Sequence, residues 1–192
     1  MALINVAKHE IHCKIVYYGA GFSGKTTNLL YVHEQAPPQA KGELLTLATE
    51  TERTLFFDFL PLDLGNVQGY KIRFHLYTVP GQPMYERTRV AVLNGLDGVV
   101  FVIDSQRERF RENVQSFLEM QRILDALRKP LDKVPLVLQY NKRDMPQAVP
   151  VAILNARFNN GLRAPYFEAV ASRGVGVFST LRAVSKSVID GL

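Results

Sequence analysis

The segment Gly19-Ala20-Gly21-Phe22-Ser23-Gly24-Lys25-Thr26 matches G-x-x-x-x-G-K-S/T and restricts the fold more than any other stretch. Before it, Ile11 to Tyr18 is a short apolar run rich in β-formers. After it, Lys25 to Gln35 reads as helix, closed by Pro37 and Pro38. A strand aimed at a helix N-terminus presents backbone N–H groups and the positive end of the helix dipole to an anion. Glycine serves where the backbone needs special dihedrals and lies against that ligand. Lys25 adds a point charge for the β- and γ-phosphates of a nucleotide, and the Thr26 hydroxyl can ligate Mg²⁺. Thr27, next in the chain, joins the phosphate-binding set. Average residue usage gives such a match by chance in about one chain of this length in a hundred. The motif indicates a nucleoside triphosphate but is silent on the base.

The remaining chain alternates strand and helix. Leu55–Leu60 and Tyr70–Val79 are strand-like, separated by a turn containing Gly65 and Gly69, and form an antiparallel hairpin. Gly98 to Ile103 is apolar at consecutive positions, as in a parallel strand buried on both faces. Val114, Phe117, Leu118, Gln121, Leu124 and Leu127 recur at helical spacing. Val134–Tyr140 and Pro165–Val170 read as the last strands, and Val177, Leu181, Val184 and Val188 stripe a closing helix. The expected fold is α/β of the P-loop NTPase class. It has a mostly parallel central sheet, one antiparallel edge hairpin, and helices on both faces. With no linker or repeat, residues 1–192 are expected to form one domain.

Asn141-Lys142-Arg143-Asp144 follows a buried strand, at the end of the sheet where such folds bind ligands. A carboxylate at Asp144 can accept two hydrogen bonds from the ring N–H and exocyclic amine of guanine. Adenine would leave that carboxylate facing a lone pair, a mismatch that discriminates by about 10⁴ or more. Lys142 can lay its methylene stem over the base. Asn and Asp are also common in turns after strands, so the position carries the guanine reading as much as the letters.

Several other functions are disfavoured. The net charge of +5 is weak, and Arg107, Arg109 and Arg111 alternate with Glu108 and Glu112 as on a solvated helix face. No basic-aromatic stripe marks a nucleic-acid surface, so no nucleic-acid partner is expected. Cys13 is the only cysteine and lies in an apolar run, and the 4 histidines lack metal-ligand spacing. No apolar run approaches the ~18 residues of a membrane span, and no signal peptide or lipidation motif is evident at either end. A cytoplasmic protein without a direct membrane anchor is expected.

Gly19–Thr26, Asn141–Asp144 and Thr78-Val79-Pro80-Gly81-Gln82 together resemble the Ras-like small GTPases. Within them, Lys14–Gly19, Ser23–Asn28, Arg53–Leu62, Arg73–Gln82 and Gln139–Asp144 resemble the MglA-type family of bacterial gliding-motility and cell-polarity GTPases. The resemblance covers essentially the whole chain. It implies a switch between GTP and GDP forms, recruited to a cell pole and slow in hydrolysis alone. The implied partners are polarity and motility effectors and a homodimeric roadblock-domain activator of the MglB type. It also implies Gly81 at the nucleotide and Ala171, in Val170-Ala171-Ser172, with its backbone N–H facing the base oxygen.

Metal and catalytic groups are read in the same way. Thr54 is either a β-branched strand start or, as the resemblance implies, the switch threonine that joins Thr26 at Mg²⁺. Gln82 follows Gly81 at a position from which an amide can orient the attacking water, and is otherwise a polar helix start. Arg53 is implied by the resemblance to be an arginine finger within the chain itself. The family at large carries Asp where Thr78 stands, and a neutral hydroxyl lacks its charge. Asp58 on the neighbouring strand is a candidate substitute, or an exposed residue of a half-buried strand. Two alternatives stay open: a guanine-nucleotide-dependent binding module with negligible hydrolysis, and a P-loop nucleoside or nucleotide kinase.

Overall fold

In the computed structural model, which describes residues 2–46, 58–67 and 69–192, the apolar runs become the strands of one twisted sheet. The strands are β1 (Leu3–Asn5), β2 (Glu10–Tyr18), β3 (Leu45–Thr46), β4 (Asp58–Val67), β5 (Tyr70–Thr78), β6 (Gly98–Asp104), β7 (Leu136–Asn141) and β8 (Tyr166–Glu168). Their order is β3-β4-β5-β2-β6-β7-β8, with β1 paired antiparallel to the start of β2. The β2–β5, β2–β6, β6–β7 and β7–β8 pairs are parallel, and β3–β4 and β4–β5 are antiparallel. The expected parallel sheet with its edge hairpin is therefore present, extended by the short strands β1 and β3.

Helices α1 (Lys25–Gln35), α2 (Glu86–Leu93), α3 (Phe110–Ala126), α4 (Val151–Phe158) and α5 (Val177–Asp190) cover the sheet. Successive residues of a strand point to opposite faces, and the core divides accordingly. Val16, Tyr18, Phe101, Ile103 and Leu138 pack with Leu93, Phe117, Met120 and Phe158 on the side of α2, α3 and α4. Ile15, Tyr17, Val100, Val102 and Val137 pack with Leu29, Val177, Leu181 and Val184 on the side of α1 and α5.

Some boundaries differ from expectation. Gly65 lies inside β4, where the register shifts between Asp63 and Asn66, and the chain reverses at Gly69 instead. β7 starts at Leu136 because a 3₁₀ turn over Leu131–Lys133 precedes it. For α2 only a polar helix start at Gln82 was weighed, and α4 was not anticipated. The apolar burial of α2 comes from adjacent Val92 and Leu93 at its end, so no helical period develops over its 8 residues. No helix of the described residues is long and apolar enough to cross a membrane.

Candidate nucleotide site

The loop between β2 and α1 takes the shape its glycines permit. Gly24 is the N-cap of α1 with φ +102°, and a Cβ there would lie 2.2 Å from Asn141 Nδ2. Phe22 sits in the left-handed region at φ +62° with its ring 73% exposed. Ala20 and Ser23 are buried, and the Ser23 hydroxyl oxygen has no hydrogen-bond partner. Thr27 lies half-buried in the first turn of α1.

A buried polar ladder holds this loop from behind. Asn28 Nδ2 donates to Gly24 O and Gln139 Oε1 (2.9 and 2.8 Å), and Gln139 Nε2 donates to Asn28 Oδ1 and Thr180 Oγ1 (2.9 and 3.0 Å). Every member is paired, which makes such a network rigid rather than costly. Asn28, Gln139 and Thr180 had no assigned role in the sequence, since a polar residue in a core element carries no local signal.

Lys25 is 7% exposed and donates to Gly19 O and Ala20 O at 2.9 and 2.8 Å. Burial lowers its pKa to about 7, opposed by the Asp58 carboxylate and reinforced by the Arg89 guanidinium. Thr26 Oγ1 donates to Asp58 Oδ2 at 2.6 Å, and Thr78 Oγ1 donates to the same oxygen at 2.8 Å. The second oxygen, Asp58 Oδ1, is buried without a partner. Asp58 is fully buried, which excludes the reading of it as an exposed strand residue.

The segment after β5 lies directly on the phosphate loop. A Cβ on Gly81 would stand 2.2 Å from Gly21 N and 2.5 Å from Ala20 C, so only glycine permits this approach. Gln82 follows, with its Oε1 buried and accepting no hydrogen bond. Arg109 Nη2 donates to Gly21 O at 2.8 Å, so this residue reaches the phosphate loop rather than a purely solvated face.

The base-reading segments converge at the ends of β7 and β8. Asn141 Nδ2 donates to Ser23 O at 2.8 Å, while its Oδ1 accepts from the Ala171 N–H at 2.9 Å. Asn141 thus ties the phosphate loop to the loop after β8. The Ala171 N–H, expected to face a base oxygen, is directed at Asn141 here. Lys142, at φ +61°, pairs its Nζ with Asp104 Oδ2 at 2.7 Å. Asp144 faces Arg173 at 3.5 Å, a long and exposed pair. Arg53 and Thr54 lie outside the described residues.

Phosphate loop, parallel sheet and N-K-x-D turn define a P-loop protein of the small-GTPase class. A profile of the ADP-ribosylation factor family matches residues 1–188, and the chain belongs to that family. It is 52% identical over 192 residues to the mutual gliding-motility protein MglA of Myxococcus xanthus, covering 100% of this chain and 98% of that protein. It is 25% identical over 154 residues to ADP-ribosylation factor-like protein 6 of Caenorhabditis briggsae, covering 80% of the chain and 72% of the relative. ADP-ribosylation factor-related protein 1 of Bos taurus matches at 26% over 147 residues, covering 76% and 67%. The protein is an MglA-type small GTPase that binds guanine nucleotide and hydrolyses GTP.

Proposed function

We propose that the protein is a nucleotide switch for cell polarity and gliding motility, acting from a cell pole with effectors and a homodimeric roadblock-domain activator of the MglB type. The activity follows from the family, and the 52% identity to a gliding-motility protein supports the biological role. The observation that carries the catalytic reading is the group of unpartnered buried oxygens around the phosphate loop: Ser23 Oγ, Asp58 Oδ1 and Gln82 Oε1. Unpaired buried polar atoms are rare, and these three, among others elsewhere in the fold, lie where a polar ligand and a water would satisfy them.

Each residue then has a task. The backbone of Gly19 to Thr26, with Thr27, wraps the phosphates, and Gly81 lies where a terminal phosphate is sensed. Lys25 supplies positive charge, which an adjacent phosphate stabilises against its burial. Asp144 exchanges its weak pairing with Arg173 for the two donors of guanine, while Lys142 flanks the base. In hydrolysis, Gln82 Oε1 accepts a hydrogen bond from the water that attacks the γ-phosphorus, and the bond to the β–γ bridging oxygen breaks. Arg53 adds charge to the transferring group.

The donor set fits Mg²⁺, a hard cation that takes oxygen ligands. Thr26 Oγ1 and Asp58 would hold it, joined by Thr54, and it would neutralise phosphate charge. Asp58 supplies the carboxylate that Thr78 lacks, which removes the reason for a binding module without hydrolysis. The test is single-turnover hydrolysis of bound GTP with and without a roadblock homodimer. Stimulation by that dimer is expected; unchanged turnover, or equal competition by ATP, would contradict the reading.

A further inference from the structure

Arg89 is 2% exposed and heads the fully buried side chains ranked by size. A buried guanidinium is tolerated only when paired and hydrogen-bonded, and its partners here are informative. From α2, its Nη1 donates to the backbone carbonyls of Pro80, at 3.1 Å, and of Gln82. Its Nη2 pairs with Glu119 Oε1 on α3 at 2.6 Å. The other Glu119 oxygen accepts from Tyr18 OH at 3.0 Å, at the end of β2. Burial pushes the Tyr18 phenol far up, so it stays a donor.

The two carbonyls flank Gly81, the residue pressed against the phosphate loop. We propose that Arg89 is a positioning residue for GTP hydrolysis, clamping the Pro80–Gln82 backbone so that Gln82 is delivered in fixed register with the phosphate loop. Glu119 and Tyr18 anchor the clamp to α3 and β2. A planar fork with several donors suits this task, because it meets two carbonyls and a carboxylate at once; an ammonium point charge cannot hold all three in that geometry. The proposal rests on the reading of Gln82 as the water-orienting group.

The experiment compares the unaltered protein with Arg89→Lys and the combined Arg89→Met/Glu119→Gln, which removes both charges of the pair. Melting temperature, affinity for GDP and single-turnover GTP hydrolysis are measured on each. Arg89→Ala is avoided, since it empties a buried site and leaves the part-buried Glu119 carboxylate without its cation. A positioning role predicts that Arg89→Lys and the combined variant fold and keep GDP affinity within about threefold while hydrolysis falls by about 10- to 100-fold. Hydrolysis at the unaltered rate in the folded combined variant overturns the proposal. So does a loss of hydrolysis that merely parallels a loss of GDP affinity or of folded protein. Gln82→Ala separates the two readings: full activity there refutes the role of Gln82, whereas full activity only in the Arg89 variants refutes the clamp.

Discussion

Thr26 Oγ1 donates to Asp58 Oδ2 across 2.6 Å, joining the first turn of the helix after the phosphate loop to the first described residue of β4. The antiparallel register Phe59↔Tyr77 brings Asp58 beside Thr78, whose hydroxyl donates to that same oxygen and accepts from the Asp58 N–H. A carboxylate absent from the end of β5 is thus provided by its neighbour in the hairpin.

Asp58→Asn should preserve the fold, because an amide oxygen can still accept from Thr26 and Thr78, yet remove the charge that would face Mg²⁺. We expect nucleotide retention to lose its dependence on Mg²⁺, with dissociation faster by about 10- to 100-fold. Adding Thr78→Asp should restore much of it. Stopped-flow release of a fluorescent GDP analogue over a Mg²⁺ titration measures this. Identical titration curves for Asp58→Asn and the unaltered protein would show that the carboxylate does not serve the ion.

Lys25 gives a pH dependence with a definite sign. Burial holds its pKa at about 7 in the folded chain, below the ordinary lysine value of 10.5. Between these values the unfolded chain binds more protons, so this group's contribution to stability rises with pH across that window and is constant below it. A bound phosphate favours the charged form, so nucleotide binding above pH ~7 should take up close to one proton. Calorimetry at pH ~8.5 in two buffers of different ionisation enthalpy reads that number. Lys25→Met should abolish the uptake, and a binding enthalpy independent of buffer in the unaltered protein would contradict the assignment.

Much of this was legible in the sequence, for identifiable reasons. Gly19–Thr26 and Asn141–Asp144 carry their meaning locally, since loop and turn chemistry act over a few residues, and their flanking strands declare themselves by continuous apolar runs. The roles of Asn28, Gln139, Arg109 and Glu119 were not legible, because each is fixed by a partner far away in the chain, and that of Arg89 was not, because it depends on the fold of the loop before α2. Arg109 is an instance: its alternation with acidic neighbours suggested a solvated face, yet the turn before α3 brings it to Gly21 O. Asp58 stood between two readings, and the register of β4 with β5, which buries it beside Thr78, excludes the exposed one.

In the proposed function, base choice rests on Asp144. Its pairing with Arg173 is long and its side chain is 36% exposed, so the local structure should survive Asp144→Asn. That change offers one acceptor and one donor in place of two acceptors. GTP affinity should fall by about 10-fold or more, with weaker discrimination against ATP. Competition binding with GTP, ATP and xanthosine triphosphate checks this, the last expected to gain relative to GTP. Unchanged selectivity would remove Asp144 from the base site.

The contact between Gly21 and Gly81 is asymmetric. A Cβ on Gly21 meets only Gly81 C at 4.0 Å, whereas one on Gly81 would lie 2.2 Å from Gly21 N. Gly21→Ala should therefore leave the loops in place, while Gly81→Ala must lift the Pro80–Gln82 segment off the phosphate loop. The larger side chain of Gly21→Val should also obstruct closure, giving a protein that binds GTP but hydrolyses it poorly. Hydrolysis should fall by about 100-fold in Gly81→Ala with GDP affinity nearly intact. Equal rates for Gly21→Ala and Gly81→Ala would mean that this contact does not bear on the chemistry.

In the proposed mechanism the groups performing hydrolysis belong to this chain, and a roadblock dimer acts by favouring their closed arrangement. A partner can do so only through higher affinity for the closed state. The most direct measurement is single-turnover hydrolysis of γ-labelled GTP with a roadblock homodimer whose contact-surface arginines have all been replaced, using the unaltered protein, Arg53→Ala and Gln82→Ala. Full stimulation of the unaltered protein by the arginine-free partner is expected. Arg53→Ala should lose about 10³-fold or more and Gln82→Ala should show a clear loss, both with GTP still bound. Stimulation that disappears with the partner's arginines while Arg53→Ala still responds to the unmodified partner would contradict it.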